Sequence, residues 1–390
     1  VSWPMCVLGD VAPAKPIKLN SFKQSDNFWQ VTLDHIESGT GRLLERNIKP
    51  LSEAGTSTHA FDERHVLYSK LRPYLNKVLL PDGIGIGTTE LVPMLPDPER
   101  LDRDYLAYYL KSNIFVNWVS SQTAGAKMPR VSMNTFWEHE IPLPPLPEQK
   151  RIAAILDKAD SLRRKNQQAI QLADKFLRAV FLDMFGDPVT NPKGWEIGKI
   201  TSLAEVITGY AFKSSEFVEE SDDAIRLCRG ANTLTGYFHW SDTVYWPKQK
   251  TYGLDQYLIK QGDIILAMDR PWISSGLKVC IADNFDKPTY LVQRVARLRP
   301  TKPIYSDFIY SCIKSKSFES HCCPTETTVP HISPVELKNF EVMLPSETEL
   351  KRFHEVVQRV RSLNRNLDIS NCKADMSFNA LSQKAFAGEL

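Results

Sequence analysis

The chain has 390 residues, enough for two or three domains at roughly 100–200 residues each. Lysine and arginine total 48 against 46 aspartate and glutamate, a net charge of only +2, so no global basic field marks a nucleic-acid binder and any basic surface must be local. The seven cysteines are scattered, odd in number and lack a CxxC pair, and the histidines lack zinc spacing, which argues against a disulfide framework or a zinc site and fits a reducing compartment. The start, Val1–Lys15, carries no signal pattern, and no apolar run approaches the ~20 residues that span a bilayer. A cytoplasmic protein with no membrane partner is expected.

In chain order, residues 1–141 read as a mixed α/β unit. His65–Tyr74 is a strand-like run closed by Arg-Pro-aromatic, Gly83, Gly85 and Gly87 suggest a turn or bulge, and Asp104–Phe115 looks like a short amphipathic helix. The glycine triplet lacks the dinucleotide spacing. Residues 142–186 open with a Pro-Leu-Pro-Pro-Leu-Pro stop, after which Glu148–Phe185 contains neither glycine nor proline and predicts one long helix ended by Gly186. Residues 187–345 return to α/β patterning, with β-rich runs at Glu205–Thr208, Asp263–Leu266 and Lys278–Ile281. Residues 346–390 predict a second long helix, about Glu347 to Phe386.

The second half repeats the first. His65–Tyr74 falls on Asp263–Trp272, Asp104–Phe115 on Asp307–Phe318, Pro129–Pro144 on Pro330–Pro345, and Lys150-Arg151-Ile152 on Lys351-Arg352-Phe353. Four blocks in order at nearly one spacing indicate duplication of a domain-sized unit. The predicted fold is therefore α/β (α+β): two similar domains with pseudo-two-fold symmetry, separated by an antiparallel coiled coil of the two long helices. The seam is drawn through Ile152, Ala159, Asn166, Ala173 and Val180, with a second row at Ile155, Leu162, Ala169 and Phe176, widened by Leu156, Ile170, Leu177 and Met184. On the second helix it runs through Phe353, Val360, Leu367, Ala374 and Leu381, with Val356 and Leu363 starting the other row. Asn166 in mid-seam either sets the register or faces solvent.

Basic and aromatic residues mix locally in both units: Lys70, Arg72, Tyr74 and Lys77 in the first; Arg270, Trp272 and Lys278, together with Lys248, Lys250 and Tyr252, in the second. Polar segments before the long helices add Lys127, Arg130 and His331. Lysine and arginine contact phosphates, and arginine reads base edges. For Arg72 and Arg270 a structural role competes with DNA contact. No catalytic motif survives: there is no phosphate loop or nucleophile elbow, and Asn191-Pro192-Lys193-Gly194 departs from an amino-methyltransferase motif at its third position.

Two such units, each followed by a long helix, the first opening Pro-Leu-Pro-Pro-Leu-Pro-Glu-Gln-Lys-Arg-Ile (142–152), resemble the specificity subunits of type I restriction-modification systems. Residues 67–78 are similar to that family's target-recognition signature and Ser382–Leu390 to its usual ending. The resemblance implies a DNA-recognition subunit without a catalytic site or cofactor of its own. It would bind double-stranded DNA at a bipartite asymmetric site, the helix pair setting the unread gap. Two modification (methyltransferase) subunits carrying S-adenosylmethionine would dock on it, and restriction (nuclease-translocase) subunits would join. The second helix opens without the Pro-Pro pair or the glutamine, which puts equivalence of the two docking surfaces in question. A two-headed protein scaffold and a specificity subunit of a type II-like fused complex are the alternatives.

Overall fold

A computed structural model describes residues 3–19, 22–55, 59–125, 128–283, 285–322 and 330–390. The chain forms two compact units, one running to Gln168 and resumed at Leu367–Leu390, the other Ala169–Asn366.

The first unit contains a four-stranded sheet in the order Asn47–Pro50, Asn27–Val31, Gly85–Gly87, His59–Phe61, and a three-stranded sheet in which Val66–Ser69 lies between Val78–Leu79 and Leu91–Met94. Pairing is antiparallel except between Asn27–Val31 and Gly85–Gly87. Met5–Val7 pairs with Glu140–Pro142, so the head's first and last strands close it just before the long helix. Helix Arg103–Lys111 starts at Asp102, whose carboxylate accepts the backbone N–H groups of Asp104 and Tyr105. Its Tyr105, Leu106 and Tyr109 are buried among Tyr68, Phe115 and Phe136. His139 stacks on Trp118 with ring centroids 3.8 Å apart, and its Nε2 lies 2.9 Å from the Tyr109 hydroxyl; burial pushes its pKa down to about 4.

The second unit has the same kinds of element, but here the strand that leads into the repeat block, Ile264–Ala267, lies in the four-stranded sheet, and the parallel pair, Ala224–Cys228 with Thr289–Leu291, lies in the three-stranded one. Its four-stranded antiparallel sheet has the order Ala204–Thr208, Val295–Pro300, Ile264–Ala267, Val279–Ile281, and its three-stranded sheet places Ala224–Cys228 between Val244–Pro247 and Thr289–Leu291. Ile197–Lys199 pairs with Glu341–Met343, closing this head as the first is closed. Helix Ser306–Ile313 buries Phe308, Ile309 and Cys312 in its core.

The long helices span Leu146–Phe185 and Glu347–Ala387. The first begins two residues before the predicted Glu148, because Pro147 sits in the first turn, where a backbone N–H has no partner to lose. Gly186 (φ 84°) and Gly388 (φ 78°) end them in the left-handed conformation that glycine adopts without penalty.

The helices pack antiparallel, and each unit takes one stretch of each. In the first unit Ile152, Ala153 and Leu156 share a core with Phe378, Ala385 and Phe386. Arg163 Nε lies 2.6 Å from Asp375 Oδ1 with its guanidinium over the Phe378 ring, and Asn166 donates to the Ser370 hydroxyl at 3.2 Å. In the second unit Phe181 and Phe185 pack on Phe353, beside Leu350 and Val357.

The first predicted row, Ile152 to Val180 and Phe353 to Leu381, lies in this seam, and Asn166 is buried there rather than facing solvent. The second row needs correction on both helices. Leu162, Phe176 and Leu363 are 52%, 52% and 62% exposed, while Ile155 and Val356 are only half-buried. The facing row lies one residue later, through Leu156, Arg163, Ile170 and Leu177 on the first helix and through Val357 and Phe378 on the second. Arg163 made that row look polar. Its charge is met by Asp375 and Asp160 and its flat face by Phe378, so it serves as a seam residue.

Candidate nucleic-acid interface

Each head carries a corner built from three chain segments. In the first head, strand Val66–Ser69 runs into Lys70-Leu71-Arg72. Arg72 has φ 49°, and its N–H donates to the Pro129 carbonyl at 2.8 Å. Lys70 N–H donates to the Glu90 carbonyl at 3.1 Å, and the Lys70 carbonyl accepts from Val131 N–H at 3.2 Å. Leu71 bridges Arg130, whose guanidinium closes the corner on the Glu90 carboxylate at 2.8 Å.

The second head repeats these bonds one for one. Arg270 has φ 44°, and its N–H donates to the Pro330 carbonyl at 3.2 Å. Met268 N–H donates to the Arg294 carbonyl at 3.0 Å, and the Met268 carbonyl accepts from Ile332 N–H at 2.9 Å. Asp269 bridges His331, and its carboxylate holds both His331 Nδ1 and the Arg294 guanidinium, the latter at 2.9 Å. The backbone frame is common to both heads, while the side chains that pin it differ: arginine on glutamate in one, histidine and arginine on aspartate in the other.

Non-glycine residues with positive φ among the described residues are two asparagines, Asn76 and Asn191, and three arginines, Arg72, Arg270 and Arg294. Asparagine tolerates this region because its short side chain bonds locally. For arginine the conformation costs on the order of 1–3 kcal/mol. All three arginines belong to these corners.

The remaining candidates divide. Tyr74 is exposed on the short turn Pro73–Leu75 that follows Arg72. In the second head the equivalent place holds a small hairpin, Trp272–Ile273 with Gly276–Leu277, which leaves Trp272 half-buried and Ser274 and Ser275 exposed. Lys77 Nζ donates to the Leu33 carbonyl at 2.7 Å and Lys278 Nζ to the Gly230 carbonyl at 3.3 Å, so both ammonium groups are engaged within the fold; burial lowers the Lys278 pKa. Lys248, Lys250 and Tyr252 follow strand Val244–Pro247 of the three-stranded sheet, away from the strand that leads into Arg270. Tyr252 is 99% exposed, and Lys250 pairs with Glu216 at 2.6 Å. Lys127 lies outside the described residues.

Sequence reasoning missed the pinning roles of Glu90, Asp269 and Arg294. Glu90 and Arg294 come from segments tens of residues away, and Asp269, although it stands beside Arg270 in the repeat, takes its partners only from those segments. Among the described residues no group of three His, Cys, Asp or Glu is placed to hold a metal. No helix is long and apolar enough to cross a membrane among them. The buried thiols of Cys228, Cys280 and Cys312 are pushed up by desolvation, Cys228 to about 12, which keeps them protonated and poor nucleophiles.

The family model described as type I restriction modification DNA specificity domain matches the chain twice, at residues 2–172 and 192–370. The MjaVIII type I restriction enzyme specificity subunit of Methanocaldococcus jannaschii is 29% identical over 300 residues, covering 73% of this chain and 69% of that protein. The EcoAI specificity subunit of Escherichia coli is 25% identical over 382 residues, covering 73% of this chain and 64% of that protein. The match thus spans about two thirds of these relatives. Two solved structures share the fold. The type I restriction-modification S subunit from M. genitalium superposes with a TM-score of 0.56 at 12% identity, covering 99% of this chain and 96% of that one. A chain from a study of complex assembly and conformational transition of the type I R-M system superposes with a TM-score of 0.55 at 19% identity, covering 100% and 98%.

Proposed function

Because the chain belongs to the family of type I restriction-modification DNA specificity domains, which it carries in two copies, we propose that it reads a bipartite, asymmetric DNA site, one half with each head. The carrying observation is the corner built twice from the same hydrogen bonds, at Arg72 and at Arg270. A surface presented twice in one chain suits a target that offers two segments of one duplex. Lys70, Arg72, Tyr74, Lys127 and Arg130 belong to the first DNA-facing surface; Lys248, Lys250, Tyr252, Arg270, Trp272 and His331 belong to the second. The length of the paired helices sets the unread gap between half-sites.

The chain itself performs no chemistry in this reading. Modification subunits carrying S-adenosylmethionine dock on the outer faces of the long helices, and restriction subunits join them in the cytoplasm. Exposed Leu162 in the first unit and Leu363 in the second, 201 positions apart as the repeat requires, support equivalent docking points.

The experiment is an electrophoretic shift with duplexes randomised in both halves and in gap length, using the chain with co-expressed modification subunits. Selection of a split site with a fixed gap is expected. Absence of DNA binding at every salt concentration would favour a protein scaffold, and adenine methylation by the purified chain alone would overturn the non-catalytic assignment.

A further inference from the structure

We infer that Arg72 and Arg270 grip the sugar–phosphate backbone of the duplex, as a sequence-independent clamp repeated in each head. This rests on the DNA-reading role above and adds to it a division of labour between residues that hold and residues that read.

The two half-sites of an asymmetric target differ in sequence, yet the two corners are tied to their neighbouring segments by the same three backbone bonds. Arg72 and Arg270 donate to Pro129 and Pro330, and Lys70 and Met268 each bond outward on both sides to equivalent partners. What a shared device contacts must itself be shared by both half-sites, and only the backbone is. The residue type points the same way. Glycine or asparagine would sit at φ 44–49° more easily, but the positions hold arginine in both heads. A conformation that disfavours the residue, kept twice, indicates that the side chain is used. Both arginines are exposed, and each follows the buried end of an internal strand. Segments that differ between the heads are left for base reading: the turn Pro73–Leu75 in one, the hairpin Trp272–Leu277 and the Lys248–Tyr252 turn in the other.

The test measures binding of random-sequence and selected duplexes across salt concentrations, with the full chain assembled with its modification subunits. For Arg72→Ala and Arg270→Ala, affinity should fall by a similar factor on every sequence, and the slope of log K against log salt should drop by about 1 per variant. Arg270→Lys should restore most of that slope, since a lysine keeps the charge but a purely structural role would gain nothing from it. Unchanged melting would exclude loss through misfolding. If Arg270→Ala alters the selected bases of one half and leaves the slope intact, the clamp is wrong while DNA reading stands. If the unaltered complex binds no duplex, both fall.

Discussion

Arg72 and Arg270 occupy a backbone conformation that glycine would relieve, and this makes a stability measurement informative beside the binding one. Arg270→Gly removes strain on the order of 1–3 kcal/mol but adds unfolded-state freedom of similar size. The expected net change in stability is within about 1 kcal/mol, read by denaturant unfolding, with DNA affinity reduced as for Arg270→Ala. A large loss of stability would mean that the side chain holds the fold. His139 gives a second prediction. Burial places its pKa at about 4, below the ordinary value near 6.5, so the folded state resists a proton that the unfolded state accepts. Its contribution is therefore present above about pH 6.5 and is lost as the pH falls toward 4. Between pH 7 and pH 5 the first unit's melting temperature should fall more in the unaltered protein than in His139→Gln. Equal falls would show that His139 is not responsible. The Arg-Pro-aromatic blocks were visible in the sequence as a repeat, but the roles of Glu90 and Arg294 were not, since each meets the corner only after distant strands pair.

Among the elements, the long helices were the most legible and their phase the least. An unbroken run without glycine or proline, bounded by Pro147 and Gly186, dictates one helix whatever it packs against. The seam depends on which of two adjacent rows meets a partner, and periodicity favours the row without a charge over the one that Arg163 interrupts. Only the partner helix shows that Arg163 is satisfied in the seam and that Phe176 is not there. A paired substitution tests the corrected phase. Leu156→Ala, at a fully buried position, should cost about 2–5 kcal/mol. Leu162→Ala, at a position 52% exposed, should stay within about 0.5 kcal/mol in the isolated chain. Urea denaturation distinguishes them, and the reverse order would restore the row first predicted. Asn166 and Ser370 add a polar contact inside the apolar seam, the kind of feature that fixes register at some cost in stability.

At the scale of the whole molecule, the repeat ties the recognition and docking proposals together. Leu162→Glu and Leu363→Glu both change exposed positions and should leave the chain folded. Each is expected to remove one modification subunit from the assembly, lowering the stoichiometry from two to one by light scattering. If one variant releases both subunits and the other neither, the docking surfaces are not equivalent, as the divergent opening of the second helix, Leu344 to Leu350, raises as a question. The two-domain plan was readable from residues alone. The bases recognised were not, because loop conformation decides which side chains reach a groove.

Adenine methylation mapped across the host genome, for the unaltered chain and for a variant with Ser274 and Ser275 changed to alanine, tests the two-headed reading most directly. The expected result is a split motif with a fixed gap in the first map, and in the second a relaxed or altered half on one side only, with the other half and the gap unchanged. A contiguous motif, or a change in both halves from that one hairpin, would contradict it.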